Sequence, residues 1–310
     1  MQCAVHTMNN PAPFPEAAAA AAPLEPPTPG TAPPAASRDP DLARFTEQVD
    51  LNIGDHPPDS FWRLEEEFRR LLHSGFLAGF LNRELRRLAA TPSHMGDWRP
   101  NQAMIHRGRG YALALWLFEK PRRYIHSTPF YGMYAPVGRE SLYYDIYKLP
   151  RGYRNDVFDP TVRLEPAGSG ITAPGGILLL QSDQYVYDFR IEKPLPVLKF
   201  TAAAFQTLEW LFNKDSLHAW QANDSELIST QLRVAAYVLG RLAHQSSLEP
   251  LELLATHPHH AARWAAIQNL GRLSRTSAQE KLHKALDDPH PHVRNAAART
   301  LRQLKQKIPE

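Results

Sequence analysis

KALDDPHPHVRNAAARTLRQL, residues 284–304, is the stretch that decides how the end of this chain folds. A second copy, LLATHPHHAARWAAIQNLGRL, fills residues 253–273, and the two align without a gap at a spacing of 31 residues. That period is typical of helical repeat proteins, in which each unit buries its apolar face only against its neighbours. The sequence therefore predicts a stack of helical pairs that acts as a binding surface. The matched pairs are Pro258 and Pro289, His259 and His290, Arg263 and Arg294, Ala265 and Ala296, Ala266 and Ala297, Leu270 and Leu301, and Leu273 and Leu304.

Each copy is expected to contain a short helix, a proline-containing turn and a second helix. Pro289 ends the first helix because proline has no amide hydrogen and disfavours helix in the residue before it. The sequence Leu-Gly-Arg-Leu occurs at 239–242 and again at 270–273, which indicates a third, degenerate unit. We therefore expect the repeat region to span residues 229–310. The side chains predicted to line its core in the last copy are Leu282, Ala285, Leu286, Val293, Ala296, Ala297, Leu301 and Leu304.

LDDPHPHVRNAAARTLRQL resembles the HEAT repeat family. In that family the acid of the turn and the arginine after the valine form a polar ladder between units, and Asp288 and Arg294 hold these positions. The preceding copy keeps Arg263, while Thr256 and His257 replace the acids. The resemblance implies an α-solenoid that contacts a protein partner, with Arg263, Arg294 and Asp288 as binding residues.

Histidines are dense in the turns of these repeats. Imidazole is a common ligand of transition metals, so pairs of histidines at successive turns could form a metal site. The other interpretation is that Pro-His-His and Pro-His-Pro-His are exposed turn residues, because no cysteine or carboxylate spacing completes a site. The histidines concerned are His257, His259, His260, His283, His290 and His292.

The repeat region is also rich in basic residues, which outnumber its acids. Phosphate contacts need such charges, so nucleic-acid binding is an alternative function for the repeats. A solvated basic face is the other interpretation. The basic residues are Arg263, Arg272, Arg275, Lys281, Lys284, Arg294, Arg299, Arg302, Lys305 and Lys307.

Residues 96–200 differ in character from the repeats. They contain short runs of β-branched and aromatic residues separated by Gly, Pro and Asp, which is typical of strands. Several such strands in succession favour an antiparallel barrel or sandwich over a parallel sheet. The predicted strands are 111–118, 141–147, 162–164, 177–180, 185–191 and 196–200.

Two stretches of this region, IHSTPFYGMYAPVG (residues 125–138) and GSGITAPGGILLLQSDQYVYDF (residues 168–189), resemble the two motifs of cupin-type β-barrels. In the first motif the resemblance implies that His126 is a metal ligand and that Glu140 lies near the carboxylate position. Thr128 replaces the second histidine.

The second cupin-type motif carries the family's spacing of glycine and proline but lacks its histidine. Gly168, Pro174 and Gly176 match that spacing. The position of the third metal ligand falls on Leu179, or on Gln184 or Tyr185 in another register.

A redox metal in a barrel needs about three protein ligands, with open positions for a substrate. One hypothesis is therefore a metal-free barrel for packing or small-ligand sensing, with Tyr131, Tyr144 and Tyr185 as ligand contacts. The alternative is an oxygenase or isomerase that holds Fe or another divalent metal. Its candidate catalytic and metal-binding residues are His126, Glu140 and His106, and His94 also lies upstream.

The remaining segments complete the predicted organisation. Residues 1–38 are rich in proline and alanine and are expected to form a disordered tail. Residues 39–95 are expected to be helical and to pack on the barrel, with Gly75 and Gly79 as candidate breaks in the run 59–90. Residues 201–228 are predicted to form connecting helices. The fold class is therefore α+β, multidomain, with a cupin-like barrel flanked by helices and followed by the α-solenoid.

Composition narrows the functional class. The only cysteine is Cys3, which excludes an internal disulfide and fits a reducing compartment. The net charge is +3, and no apolar run approaches the 18 or so residues of a membrane span. Composition thus favours a cytoplasmic protein that does not enter a membrane. The HEAT resemblance and the incomplete cupin-type metal set imply a bacterial, non-enzymatic scaffold without a cofactor, which binds a protein partner.

Overall fold

The protein combines helices at both ends with antiparallel sheets in the middle. A computed structural model describes residues 39–53, 59–91, 98–225 and 227–306. The predicted tail at 1–38 and His94 lie outside the described residues. No helix within these ranges is long and apolar enough to cross a bilayer. The helices are α1 (Pro40–Asn52), α2 (Asp59–Trp62), α3 (Glu65–His73), α4 (Phe76–Ala90), α5 (Leu227–Leu242), α6 (Leu248–Leu254), α7 (His260–Leu270), α8 (Arg275–Lys284) and α9 (Pro291–Gln306).

Twelve strands form three sheets in the described part of the chain. The large sheet has the order β1-β2-β3-β10-β5-β8, the β11 sheet has the order β12-β11-β4, and the β6 sheet has the order β7-β6-β9. All their pairings are antiparallel, and among the described residues they do not close into one barrel. The strands are β1 (Trp98–Arg99), β2 (Gln102–Gly108), β3 (Tyr111–Phe118), β4 (Tyr124–His126), β5 (Gly132–Pro136), β6 (Leu142–Lys148), β7 (Glu165–Thr172), β8 (Leu178–Leu180), β9 (Tyr185–Arg190), β10 (Leu195–Ala202), β11 (Leu208–Asn213) and β12 (Ala219–Asp224).

The N-terminal helices pack on the large sheet. Phe45, Phe61 and Phe68, from α1, α2 and α3, surround the ring of Phe200 on β10 at centroid distances of 5.2, 4.8 and 5.6 Å. All four side chains are buried, so this contact joins the helices to the sheet. Of the two glycines predicted to break the run, Gly75 does so at φ 81°, a left-handed conformation that favours glycine.

Residues 201–225 contain strands where connecting helices were predicted over 201–228, and a helix begins only at α5. Leu208–Asn213 is β11, which pairs with β4 on one side and β12 on the other. Residues 208–212 are all buried, so both faces of this strand are covered. A run that is apolar on both faces lacks the alternation that identifies a half-buried strand, and its spacing also fits a helix. The predicted strand at 162–164 is absent as well: Arg163 makes only an isolated bridge to His218.

The repeat region contains the two predicted helical pairs, α6 with α7 and α8 with α9. α5 precedes them and packs closely on α7. A Cβ atom at Gly240 of α5 would lie 2.5 Å from the side chain of Asn269, so glycine permits this approach. Leu286 and Leu304, which were predicted to face the core, are exposed. The buried side chains of the shared core are Ala236, Leu251, Ala255, Ala266, Ile267, Leu270, Ala278, Leu282, Ala285, Val293 and Ala297.

Candidate functional site

His126 lies inside the sheet region and is held by a carboxylate that the sequence motifs did not indicate. Its Nδ1 lies 3.1 Å from Oε1 of Glu209, and both residues are buried. β4 supplies the histidine and β11 the glutamate, because these two strands pair at Leu211 and His126. The histidine therefore has a protein partner already, and this partner was missed because β11 was predicted as a helix.

The other two members of the predicted metal set lie elsewhere. Glu140 is exposed after β5 and has Nζ of Lys193 3.9 Å away. His106 is on β2, where its ring lies 5.6 Å from that of Tyr111. Within the described ranges, His126, Glu140 and His106 are not part of any group of three His, Cys or acidic side chains close enough to share a metal ion.

Lys199 is a second buried polar group in the sheet region that sequence analysis missed. It lies on β10 directly opposite Tyr134 of β5 and is 4% exposed. Its Nζ is 4.0 Å from the ring centroid of Trp116 and 4.5 Å from that of Tyr134. Burial lowers the pKa of Lys199 well below its usual range; Arg122 adds to this shift and Glu209 opposes it.

The three tyrosines predicted as ligand contacts fall in different environments. Tyr131 is buried and stacks on Phe205 at 4.3 Å. Tyr144 is buried in the core between the large sheet and the β6 sheet. Tyr185 lines a surface cavity of about 500 Å³, a volume in the usual range of small-ligand sites. The other residues that line this cavity are Ile146, Lys148, Glu165, Pro166, Ala167, Gln181 and Tyr187.

A polar contact joins the two helical pairs, as the resemblance implied, but the arginine that pairs with the Asp288 carboxylate is Arg263 and not Arg294. Arg263 of the first copy donates two hydrogen bonds to the carboxylate of Asp288 in the second, at 2.8 and 2.6 Å. Arg294 donates instead to the backbone carbonyl of Asp288, at 2.5 Å. The side chains of Arg263 and Asp288 are only 11% and 8% exposed, so a partner cannot reach them without breaking this pair.

The outer face of α5 carries a row of apolar side chains that was not singled out from the sequence. We define the α5 stripe as Val234, Tyr237, Val238 and Leu242, which are between 44% and 69% exposed. Their spacing places them along one side of the helix. The opposite side, with Ala236 and Gly240, is buried against α7. The sequence of α5 could have indicated this surface, because a helix that is apolar on both sides is expected to be covered on both.

Comparison with known families gives one match. Residues 248–310 match the family model of HEAT repeats. The match covers α6 to α9, which are the two helical pairs that the repeated sequence predicted. HEAT repeats act in protein–protein contact in general, and the match identifies no particular partner. No curated protein matches this chain.

Solved structures that align with part of the chain include several enzymes. A hydroquinone 1,2-dioxygenase from a Sphingomonas species is 14% identical over 34% of this chain and 68% of its own, with a TM-score of 0.28. A DMSP lyase from Ruegeria pomeroyi is 14% identical over 38% and 55%, with a TM-score of 0.23. A sugar phosphate isomerase of the cupin superfamily from Silicibacter pomeroyi is 10% identical over 40% and 76%, with a TM-score of 0.22. Likenesses at these scores carry no inference about ligand or activity.

Proposed function

We propose that this protein is a non-enzymatic scaffold that binds a protein partner through its C-terminal repeat region. The observation that carries the proposal is the exposed α5 stripe. Four apolar side chains at positions i, i+3, i+4 and i+8 face solvent on a helix whose other side is already buried. Exposed apolar surface of this kind marks interaction sites. The match of residues 248–310 to HEAT repeats supports the same class of function.

The partner we propose is a protein that presents an amphipathic helix. A row of apolar side chains along one helix is the pattern that such a helix covers, because i, i+3 and i+4 anchors interdigitate between two helices. Tyr237 is the expected anchor, since aromatic side chains dominate the binding energy of protein interfaces. Arg263 and Asp288 are not part of the proposed contact, because their ion pair lies within the repeat stack.

We also propose that the three sheets form a metal-free, cupin-like domain, not closed into one barrel in the described part of the chain, that serves packing or small-ligand sensing. The cavity lined by Tyr185 and Lys148 supports a ligand role. Enzyme chemistry at the predicted residues has less support, because Glu140 is exposed and His126 is paired with Glu209. Nucleic-acid binding has less support as well, since Arg263 and Arg294 are both engaged by Asp288.

A site-specific photo-cross-linking experiment tests the partner surface. A photoreactive phenylalanine analogue replaces Tyr237 in the full chain, and the matched control carries it at Leu85 of α4, which is similarly exposed. We expect Tyr237 to give one dominant adduct with another protein and Leu85 to give none. The adduct should disappear when Val234 and Leu242 are both changed to Glu.

Two outcomes would contradict the proposed surface. Identical adducts from both positions would mean that the contact is not specific to the stripe. An adduct that contains only a second copy of this chain, together with a dimer in light scattering, would mean that the stripe is a self-association face.

A further inference from the structure

Three histidines from the two repeat copies converge at one point. His260 begins α7, while His290 and His292 lie at the start of α9. One ring nitrogen of each lies within 4.8 Å of one from each of the others. The ring of His290 stacks on that of His260 at 3.6 Å and meets that of His292 at 5.1 Å. The sequence places His260 30 positions before His290 and 32 before His292, and the stacking of the repeats brings the two turns together.

A backbone carbonyl of the sheet region orients one of these rings. Nε2 of His290 lies 3.0 Å from the carbonyl oxygen of Asp156. Imidazoles that bind metals commonly donate their other ring N–H to such a carbonyl, which fixes the tautomer and leaves the opposite nitrogen to the metal. Nδ1 of His290 has only a long contact, 3.3 Å, with the amide of His292, and a metal bond would replace it.

The segment that supplies this carbonyl is itself held in place. The side chain of Asn155 bonds to both backbone groups of Leu208 on β11, at 2.7 and 3.0 Å. Nε1 of Trp210 donates to the carbonyl of Asn155 at 2.9 Å. The orienting carbonyl is therefore fixed by the β11 sheet before any ion binds, which is the condition for a preorganised site.

A fourth histidine beside the cluster gives an independent reason to expect a ligand. The ring of His259 lies 5.2 Å from that of His260, and neither of its buried nitrogens has a hydrogen-bond partner in the described part of the chain. Buried polar groups without a partner are uncommon and indicate an ion or water. Burial also lowers the pKa values of His260, to about 4, and of His290 and His292, which keeps these rings in the neutral form that binds metals.

We propose that His260, His290 and His292 bind one divalent transition metal ion, preferentially Zn²⁺, at the junction of the repeats and the sheets. Three imidazoles form a common zinc ligand set, and the fourth position is open to water or a carboxylate. The Asp156 carboxylate lies on the Nε2 side of His290, with Oδ2 3.6 Å away, and is paired with Arg154 at 2.7 Å, so it is not counted as a ligand. Zn–N bonds of about 2.0–2.1 Å require the three ring nitrogens to lie closer together than they do in the structure without an ion, where they lie within 4.8 Å of one another.

The consequence of the ion would be structural. It would join the first turns of α7 and α9 and hold both beside the segment around Asp156. This role is independent of the α5 stripe and of the predicted set His126, Glu140 and His106. Loss of Zn²⁺ binding would leave partner binding by the α5 stripe intact, and the reverse also holds. The two proposals can therefore fail separately.

Titration of Zn²⁺ into the full chain tests the site. The protein is prepared without a histidine tag, treated with a chelator and studied by calorimetry and thermal unfolding. We expect one Zn²⁺ per chain and a rise in melting temperature, because an ion that binds only the folded state stabilises it. His260→Gln and His292→Gln should each weaken binding by more than about tenfold. His283→Gln, which changes an exposed histidine of α8, is the matched control and should bind as the unaltered protein does.

The result that overturns the proposal is equally direct. The proposal is wrong if the unaltered protein shows no saturable Zn²⁺ binding. It is also wrong if both variants fold and bind Zn²⁺ with the same affinity as the unaltered chain. Circular dichroism shows whether the variants fold. If either does not, Co²⁺ added to the unaltered protein decides: visible absorption of a tetrahedral site supports the assignment, and a spectrum of hydrated Co²⁺ contradicts it.

Discussion

Arg263 and Asp288 form a bidentate ion pair that bridges the two repeat copies, with N–O distances of 2.8 and 2.6 Å. Nη1 of the same arginine donates to the carbonyls of His257 and Pro258, at 2.8 and 2.7 Å. The guanidinium of Arg263 thus hydrogen-bonds to two carbonyls of the turn before α7 and, through Asp288, holds the turn before α9 against it. Asp288 in turn accepts the amide of His290 at 2.8 Å, which places that histidine beside His260.

Removal of one partner of this pair should be costly. Asp288→Ala leaves the Arg263 guanidinium buried without its counter-charge, so we expect the free energy of unfolding to fall by about 3–5 kcal/mol. Urea denaturation followed by circular dichroism measures the change. Glu280→Ala, which breaks an exposed pair with Lys284, is the control and should cost less than about 1 kcal/mol. Equal losses in the two variants would contradict the structural role of the pair.

Gly240→Ala should separate α5 from α7. The added Cβ atom would lie 2.5 Å from the Asn269 side chain, so the helices must move apart, at a cost of about 1–3 kcal/mol. Gly271→Ala is the matched control, because its Cβ atom would meet nothing closer than 3.8 Å. Thermal unfolding of both variants measures the difference. Similar melting temperatures would mean that α5 does not approach α7 as closely as described.

Lys199 should make stability depend on pH in the alkaline range. Its pKa is lowered in the folded chain, so between that lowered pKa and the ordinary pKa of 10.5 the unfolded chain holds more protons at this site. The free energy of unfolding therefore rises with pH up to that value, by about 1.4 kcal/mol for each unit of pKa depression. Lys199→Met should flatten the rise between pH 7 and 10, as measured by urea denaturation. Lys193→Met, at an exposed position, should leave the slope unchanged.

His126→Gln tests the enzyme alternative. Glutamine keeps a hydrogen-bond donor for Glu209 but removes the imidazole, so we expect the variant to fold and to retain the same bound-metal content as the unaltered protein. Elemental analysis of both purified proteins measures this. Stoichiometric iron that is lost in His126→Gln and retained in His260→Gln would support a metal-dependent oxygenase or isomerase instead of a scaffold.

Repeats and well-patterned strands could be predicted because each carries its own periodicity. The helical pairs follow from a gapless 31-residue repeat, and β3 has the bounds predicted for it, 111–118. β7 was not predicted, because Pro166, Gly168 and Gly170 are typical of loops. They are tolerated there because β7 is an edge strand of the β6 sheet, and the ring of Tyr144 lies where a side chain at Gly170 would be.

The candidate sites were harder to predict because their residues are joined by packing and not by sequence motifs. Glu209 could not be recognised as the partner of His126 while β11 was predicted as a helix. The histidine turns were identified, but the contact with the carbonyl of Asp156 depends on how the repeats lie against the sheets. No local pattern carries that information, since 134 residues separate Asp156 from His290.

Because α5 packs closely on α7, the repeat unit that the family model recognises and the unit that we expect to unfold cooperatively begin at different residues. The HEAT match begins at residue 248, yet Ala236 of α5 belongs to the same core as Leu251 and Ala266. A protein fragment cut at the match boundary would expose the α7 surface that α5 covers. Its α7 amide hydrogens should therefore exchange far faster than those of the intact chain. A fragment that begins before α5 should keep the α7 amides protected from exchange.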